Sequence, residues 1–332
     1  ALEAGGEKIA VFKPETGEHF SRKGLHAGVG AVREEAVYII DRYCGSAAQV
    51  PVTSRAMVDL DGKSVQGSVQ AFVQDVVGFI EDFAMPRDLN HACDFVPQDR
   101  VEALALLDMR VFNTDRHTAN LLLLRHDKPH SLGPIDHGCC LPPWWALGEA
   151  IFDAWLEWPQ VQCTPSKAAR QLVTSAWDRL PLVCEELRSK VGLEMEAIVT
   201  LQLCTRLLKV GISDLGLPIR QVAKLMLRSE EDCFKELSWL EKQIHSLANM
   251  CGAKCWVQED HRGDEELAVD DEGKGLDAAS FLDKMEELFV DQLPRVCSGP
   301  LCPKDSTGSE GTVQSESVQS SGGDPDAALI RF

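Results

Sequence analysis

The sequence Asn113-Thr114-Asp115-Arg116-His117-Thr118-Ala119-Asn120 runs directly into four leucines, Leu121 to Leu124. After a polar turn, His126-Asp127-Lys128-Pro129-His130-Ser131, come Leu132 to Ile135 and then Asp136-His137-Gly138. A short unbroken apolar run bounded by turn signals reads as a buried strand. Leu132 to Ile135 reads as its return partner, so that Asp136 is carried back beside the loop that holds Asp115 and Asn120. The arrangement expected is a loop, a hairpin and a second acidic residue meeting at one place.

Phosphoryl transfer from a nucleotide asks for such a set. One carboxylate orients or accepts the proton of the attacking hydroxyl, while an amide oxygen and a second carboxylate hold Mg²⁺ against the phosphates. Mg²⁺ is a hard cation and prefers oxygen ligands. The spacing Asp-x-x-x-x-Asn, then Asp-x-Gly after a hairpin, is the pattern of a kinase catalytic loop and metal-binding aspartate. Here the two motifs are spelled Asp115-Arg116-His117 and Asp136-His137-Gly138.

Upstream, Lys8-Ile9-Ala10-Val11-Phe12-Lys13 alternates as a strand that Pro14 ends. A lysine at such a strand end is placed to pair nucleotide phosphates. Glu18 to Gly30 reads as a connection, although Gly24, Gly28 and Gly30 could form a phosphate-cradling turn. A helix follows from Val32, with Val32, Ala36, Val37 and Ile40 at helical spacing. Either Glu34 or Glu35 could pair with Lys13. Val50 to Thr53 and Gly67 to Val73 bracket a hairpin centred on Asp61-Gly62, a strong hairpin dipeptide. Phe72 and Val73 are the candidate adenine contacts at its exit. Asp75 to Asp94 reads as a linker, and Val101 to Phe112 as the helix that delivers Asn113. Phe152 to Trp158 reads as a helix stopped by Pro159. Further helices are expected over Ser166 to Leu180, Leu182 to Val191, Glu194 to Gly211, Pro218 to Arg228 and Glu230 to Leu247. Trp144 and Trp145 fit both a membrane-dipping segment and a packed core.

The net charge is −19. From Val257 onward 18 acidic and 6 basic residues give −12, leaving −7 for residues 1–256, so the acidity is mostly a property of the C-terminal stretch. That balance argues against nucleic acid as a partner, which needs clustered Lys and Arg. No apolar run reaches the ~18 residues of a spanning helix, and no secretory signal opens the chain. A cytoplasmic location is expected, with peripheral membrane contact left open. The chain opens on Ala1, which reads as a fragment or processed form. Twelve cysteines lack paired zinc-like spacing and read as reduced thiols.

These stretches resemble the phosphatidylinositol 3-/4-kinase catalytic domain, closest to the plant-type phosphatidylinositol 4-kinase gamma group. The resemblance is carried by Val11-Phe12-Lys13-Pro14, Arg33-Glu34-Glu35-Ala36, the two motifs above, Cys139-Cys140-Leu141-Pro142, Trp158-Pro159-Gln160, and Leu207-Leu208-Lys209-Val210-Gly211. It implies an α+β, two-lobed kinase-like fold with a small β-rich N-lobe and a larger, mostly helical C-lobe. The catalytic domain is expected over 1–256, with lobes at about 1–75 and 95–256. An acidic linker at 257–275, an amphipathic helix at 276–293 and a disordered acidic tail at 294–332 would follow.

The resemblance further implies ATP and Mg²⁺ as cofactors, Asp115 as catalytic base or hydroxyl-orienting group, and Asn120 and Asp136 as metal ligands. Lys13 and Glu34 become the phosphate-pairing couple, with Glu34 preferred over Glu35 by the Arg-Glu-x-Ala-x-Tyr pattern. His117 would steady transition-state charge or the loop itself, His137 would pack, and Arg116 would brace the loop. The acceptor implied is phosphatidylinositol at a membrane surface. A protein serine/threonine acceptor and a catalytically weak nucleotide-binding scaffold are the alternatives. One departure stands out. The glycine-rich lid of the family should precede Lys13, where only Ala1 to Glu7 with Gly5-Gly6 is present.

Overall fold

The computed structural model describes residues 1–297 apart from 17, 19–21, 61, 126–128, 230–233, 261 and 274. The architecture is α+β. A four-stranded antiparallel sheet, in the order β1-β2-β4-β3, is built from β1 (Leu2–Ala4), β2 (Glu7–Pro14), β3 (Thr53–Leu60) and β4 (Lys63–Ala71). Helix α1 (Gly30–Tyr43) lies against β3 and β4, where Glu35 pairs with Arg55, and turns Ala36, Val37 and Ile40 into a core shared with Leu107, Val111 and Leu180. The amides of Gly28 and Gly30 donate to the Glu18 carboxylate at 2.8 and 3.1 Å. The Glu18 carboxylate therefore caps the start of α1, where free N–H groups need an acceptor, and these amides are already engaged rather than open toward a phosphate.

A second sheet, β5-β6-β7, joins β5 (Val76–Phe79), β6 (Leu121–Leu124) and β7 (Ser131–Pro134). The stretch from Asp75, expected to be a linker, thus contributes a strand. Val76 pairs with Leu124 and Phe79 with Leu122, because the tetraleucine strand has two edges and β7 covers only one. The β6–β7 turn includes residues outside those described, as does Asp61 of the β3–β4 turn.

The rest is mostly helical. It comprises α2 (Leu89–Phe95), α3 (Gln98–Arg110), α4 (Pro159–Gln162), α5 (Lys167–Asp178), α6 (Leu180–Glu186), α7 (Met195–Leu208), α8 (Ile219–Lys224) and α9 (Trp239–Ala248). The expected helix Phe152–Trp158 is a run of turns instead. Phe152 stacks on Trp155 at 5.0 Å, and the Trp155 indole N–H donates to Asp108 at 2.9 Å. The helix begins only at Pro159, whose fixed φ suits a first helical position. Residues 230–233, where a helix was expected to begin, lie outside the described residues. Helix α9 starts at the capping box of Ser238 and Glu241.

The compact body continues past the expected domain end at 256, through two strands and a helix that ends at Val296. Residues 257–275 do not form a linker. Strand β8 (Cys255–Glu259) pairs with β9 (Glu265–Val269), and Leu267 is fully buried. Helix α10 (Ala278–Val296) then places Phe281, Met285, Phe289 and Leu293 in the main core. Phe281 meets Trp144 there at 5.7 Å between ring centres. Trp144 is therefore core, whereas Trp145 is half-buried beneath Lys23. Helix α10 is the amphipathic helix expected over 276–293, with its apolar stripe turned into the core. Of the disordered tail expected over 294–332, residues 294–296 belong to α10, and 298–332 lie outside the described residues.

The sheet fixes Lys13 by register. Lys13 pairs with Ser68 and Pro14 with Gly67. A Cβ on Gly67 would lie 2.2 Å from the Lys13 carbonyl oxygen and 2.8 Å from a Phe12 ring carbon. Gly67→Ala should therefore push β2 outward, cost about 1–3 kcal/mol and raise KM for ATP. Denaturant unfolding together with ATP titration checks both effects, and a variant with unchanged KM would mean that β2 does not position Lys13.

Candidate active site

Helix α3 is buried along most of its length, Val101 to Arg110, and ends in a sharp reversal at Phe112, whose φ is +44°. The Asn113 amide donates to the Asp108 carbonyl at 2.9 Å, and the Asn113 side chain accepts from the Asp115 amide at 2.9 Å. Asp115 is thereby aimed out of the loop. Asn120 donates its side-chain N–H to the Asp115 carbonyl at 3.0 Å and to Asp115 Oδ2 at 3.2 Å. That contact leaves the Asn120 amide oxygen as the end open to a cation. His117 is half-exposed, with Nε2 3.9 Å from Asp115 Oδ2, too long for a hydrogen bond.

Beneath the loop lies Arg116, fully buried with Asp108. Its Nε meets the two Asp108 oxygens at 3.2 and 3.0 Å. Its Nη1 donates to the carbonyls of Asn120 and Ile135, the latter at 3.0 Å. One guanidinium thus ties the residue that ends the loop to the residue before Asp136, and Ile135 N donates to Asn120 O at 3.1 Å. Nη2 faces His137 Nε2 at 3.0 Å. A guanidinium can only donate, so Nε2 accepts and the ring proton sits on Nδ1, 3.8 Å from Glu34 Oε2.

Lys13 closes the arrangement. Its ammonium donates to Glu34 Oε1 and, at 3.1 Å, to Asp136 Oδ1. Burial works against the Lys13 charge, but Glu34 and Asp136 together raise its pKa above the ordinary lysine value. Burial alone would raise the Glu34 pKa. His137 and Lys13 overcome it and hold the carboxyl at about 2, against an ordinary 4.5. Glu35, the other candidate, pairs with Arg55 at 2.7 Å instead.

Asp136 itself has φ +59°, a left-handed conformation that aspartate tolerates better than most residues. Phe112, Asp136 and Leu141 all carry positive φ around this one site. Such conformations cost of order 1–3 kcal/mol each and persist where surroundings over-determine them.

A cleft of about 530 Å³ adjoins Lys13 and Asp136. Phe72 and Val73 line it, with Val11, Val76, Leu122 and Ile135 supplying further apolar wall. Of the residues singled out from the sequence, Lys13, Phe72, Val73 and Asp136 line this cleft, and Glu34 is joined to them by Lys13. Asp115 and Asn120 reach the same region through the Asn120–Ile135 hydrogen bond, and His117 stays at its exposed edge. Two further residues, Asp108 and Arg22, belong to the site. Asp108 had a signal, a carboxylate on the apolar face of a helix. Arg22, which donates to Asp115 Oδ1 at 2.9 Å, had none.

Among the described residues no cluster of three or more His, Cys, Asp or Glu side chains could cage a metal. Asn120 and Asp136 offer two oxygen ligands, which suits Mg²⁺, an ion that keeps waters and shares substrate phosphates.

A lysine paired to a helix glutamate, two loop carboxylates and an apolar cleft on an α+β frame define a kinase-type catalytic fold. The chain belongs to the phosphatidylinositol 3- and 4-kinase family, whose model matches residues 12–214. It is 27% identical over 281 residues to phosphatidylinositol 4-kinase gamma 5 of Arabidopsis thaliana, covering 75% of this chain and 43% of that protein. It is 30% identical over 284 residues to phosphatidylinositol 4-kinase gamma 3 of the same plant, covering 73% and 46%. The chain thus spans less than half the length of these relatives. Among solved structures, the Helicobacter pylori proinflammatory kinase CtkA is similar at 14% identity and a TM-score of 0.38, covering 69% of this chain and 92% of that one. That superposition is too loose to bear on the assignment, which rests on the sequence match.

Burial of Glu34 beside Lys13 has a pH signature. The folded state holds the carboxyl at about 2 and the unfolded chain near 4.5. The stabilisation from its ionised form is therefore present above pH 4.5 and is lost as pH falls through 2. The stability difference between wild type and Glu34→Gln should be flat from pH 7 to about pH 5 and shrink below that range. Unfolding curves across the acid range would show it, and a difference that grows on acidification would have the wrong sign.

Proposed function

We propose that this chain transfers the γ-phosphoryl group of ATP to an inositol hydroxyl of phosphatidylinositol, giving the 4-phosphate. The observation that carries the reading is the single Lys13 ammonium shared between Glu34 and Asp136 at the mouth of the cleft, in a chain of this family. Phe72 and Val73 take the adenine, and Lys13, held by Glu34, faces the phosphates. Asn120 and Asp136 would hold Mg²⁺, which when bound neutralises charge developing on the transferred group. Asp115 accepts the hydrogen bond of the attacking hydroxyl and orients it. His117, at the exposed edge, faces the incoming acceptor. No helix among the described residues is long and apolar enough to cross a membrane. A lipid acceptor then requires the chain to work at a membrane surface.

The test uses Mg-ATP labelled at the γ position with phosphatidylinositol in mixed micelles. Labelled phosphatidylinositol 4-phosphate, lost in Asp115→Ala, is the expected product. ATP turnover that labels a protein acceptor and no lipid would replace this reading with a protein kinase.

A further inference from the structure

The turn Arg22–Leu25 reaches the site from outside the loop-and-hairpin pattern. Leu25 N donates to the Arg22 carbonyl at 3.1 Å. Gly24 has φ +72°, and a Cβ there would lie 2.7 Å from Pro143 Cδ, so the turn is pressed against the segment after Gly138 at the one residue able to fit. Lys23 is pinned from both ends. Its backbone N–H donates to Glu149 Oε2 at 3.0 Å. Its ammonium pairs with Glu266 on β9 at 3.1 Å and donates to the Leu267 carbonyl. With the backbone fixed on two sides, the Arg22 side chain crosses to the catalytic loop. Nη2 meets Asp115 Oδ1 at 2.9 Å, and Nε meets the Thr114 carbonyl at 3.2 Å.

Asp115 is thus held at both oxygens, by Arg22 at Oδ1 and by Asn120 at Oδ2. The guanidinium occupies the Oδ1 face of the carboxylate, which is then a weaker partner for an incoming hydroxyl. Arg22 is not locked in place, however, since both side chains remain about a quarter exposed, 28% and 23%. A guanidinium fork binds phosphate as readily as carboxylate, often through two parallel hydrogen bonds. We propose that Arg22 is a gate on Asp115, parked on the carboxylate until a phosphate oxyanion of the reacting complex takes the guanidinium over and leaves Asp115 for the acceptor hydroxyl. The proposal rests on the kinase reading above. Two oxyanions have the required chemistry, the phosphodiester of the lipid and the γ-phosphoryl group of ATP. Arg22 acts through Asp115 and is a positioning residue. Fixing the turn by Gly24 and by Lys23 on β9 lets this swap occur without moving the backbone.

The full chain carrying Arg22→Ala, Arg22→Lys or Gly24→Ala would be assayed for ATP hydrolysis without acceptor and for transfer to phosphatidylinositol. Arg22→Ala is expected to raise acceptor-free hydrolysis several-fold, because Asp115 is released to water. It should lower kcat/KM for lipid transfer by about tenfold or more, the usual weight of a charge-assisted hydrogen bond. Arg22→Lys should recover part of the transfer, and Gly24→Ala, which displaces the turn with Arg22 intact, should resemble Arg22→Ala. A higher KM for lipid with KM for ATP unchanged assigns the phosphodiester. A lower kcat with both KM values unchanged assigns the γ-phosphoryl group. Hydrolysis and transfer falling together in proportion, or transfer unaffected by Arg22→Ala, overturns the gate. A wild-type chain that turns over no ATP, as silent as Asp136→Ala, removes the kinase reading and the gate with it.

Discussion

Asp136→Ala should lower phosphoryl transfer at least about a thousandfold, the scale on which charge stabilisation of a transferring phosphoryl group operates, while the chain stays folded. Asp136 is half-exposed and its hydrogen bond to Lys13 is shared with Glu34, so little of the fold depends on it. The cost to stability comes from the backbone. At φ +59° an alanine meets the left-handed penalty of about 1–2 kcal/mol, which asparagine escapes in part by local hydrogen bonding. Asp136→Asn should therefore lose activity nearly as completely, because the charge is gone, yet melt close to wild type. Lipid phosphorylation and thermal unfolding measured on both variants separate the two effects. Retention of more than about a tenth of the activity by Asp136→Ala would mean that this carboxylate is not the metal-holding group, since ligand loss of this kind is far more severe.

What could be read from the sequence and what could not divide along a physical line. That the loop from Asp115 to Asn120 and the return to Asp136 come together is legible because a short hairpin fixes their placement by spacing along the chain, and because Leu121 to Leu124 can only be buried. Lys13 and Glu34 stand 21 residues apart and were joined by pattern rather than by any local rule. Nothing local marks Arg22, since its role depends on Gly24 fitting against Pro143 and on Lys23 reaching β9. Residues 257–275 depart from the expected linker for a related reason. Their charges look like those of a solvated linker, but several of them are used. Glu266 holds Lys23, and the Asp260 carboxylate accepts from the amides of Arg262 and Asp264 at 2.7 and 3.0 Å to close the β8–β9 turn. Phe152 to Trp158 departs from expectation in the opposite sense. Its apolar spacing suited a helix, but the tertiary hydrogen bond from Trp155 to Asp108 fixes a different backbone.

That same Asp108 carries the largest stability effect expected here. It accepts from Asn113 Nδ2 at 2.9 Å, from Arg116 Nε at 3.0 Å and from Trp155 Nε1 at 2.9 Å, with both members of the ion pair fully buried. Asp108→Ala strands a guanidinium that cannot deprotonate and leaves an asparagine and an indole without their acceptor. Breaking one side of a buried pair costs about 3–5 kcal/mol, a large share of the ~5–15 kcal/mol by which a domain is usually stable. Asp108→Asn should be nearly as damaging, since its NH₂ would face the donors that the carboxylate accepts from. Arg116→Met leaves the carboxylate still held by Asn113 and Trp155, but it frees the carbonyls of Asn120 and Ile135. That variant should therefore lose activity beyond what its stability loss explains. In the double variant Asp108→Ala with Arg116→Met neither partner is left as an unpaired charge, so it should be more stable than the sum of the two single losses predicts. Denaturant midpoints for the full cycle test this directly. Additive losses would show that Asp108 and Arg116 act on the fold independently, and the link from α3 through the guanidinium to Asn120 and Asp136 would then be wrong.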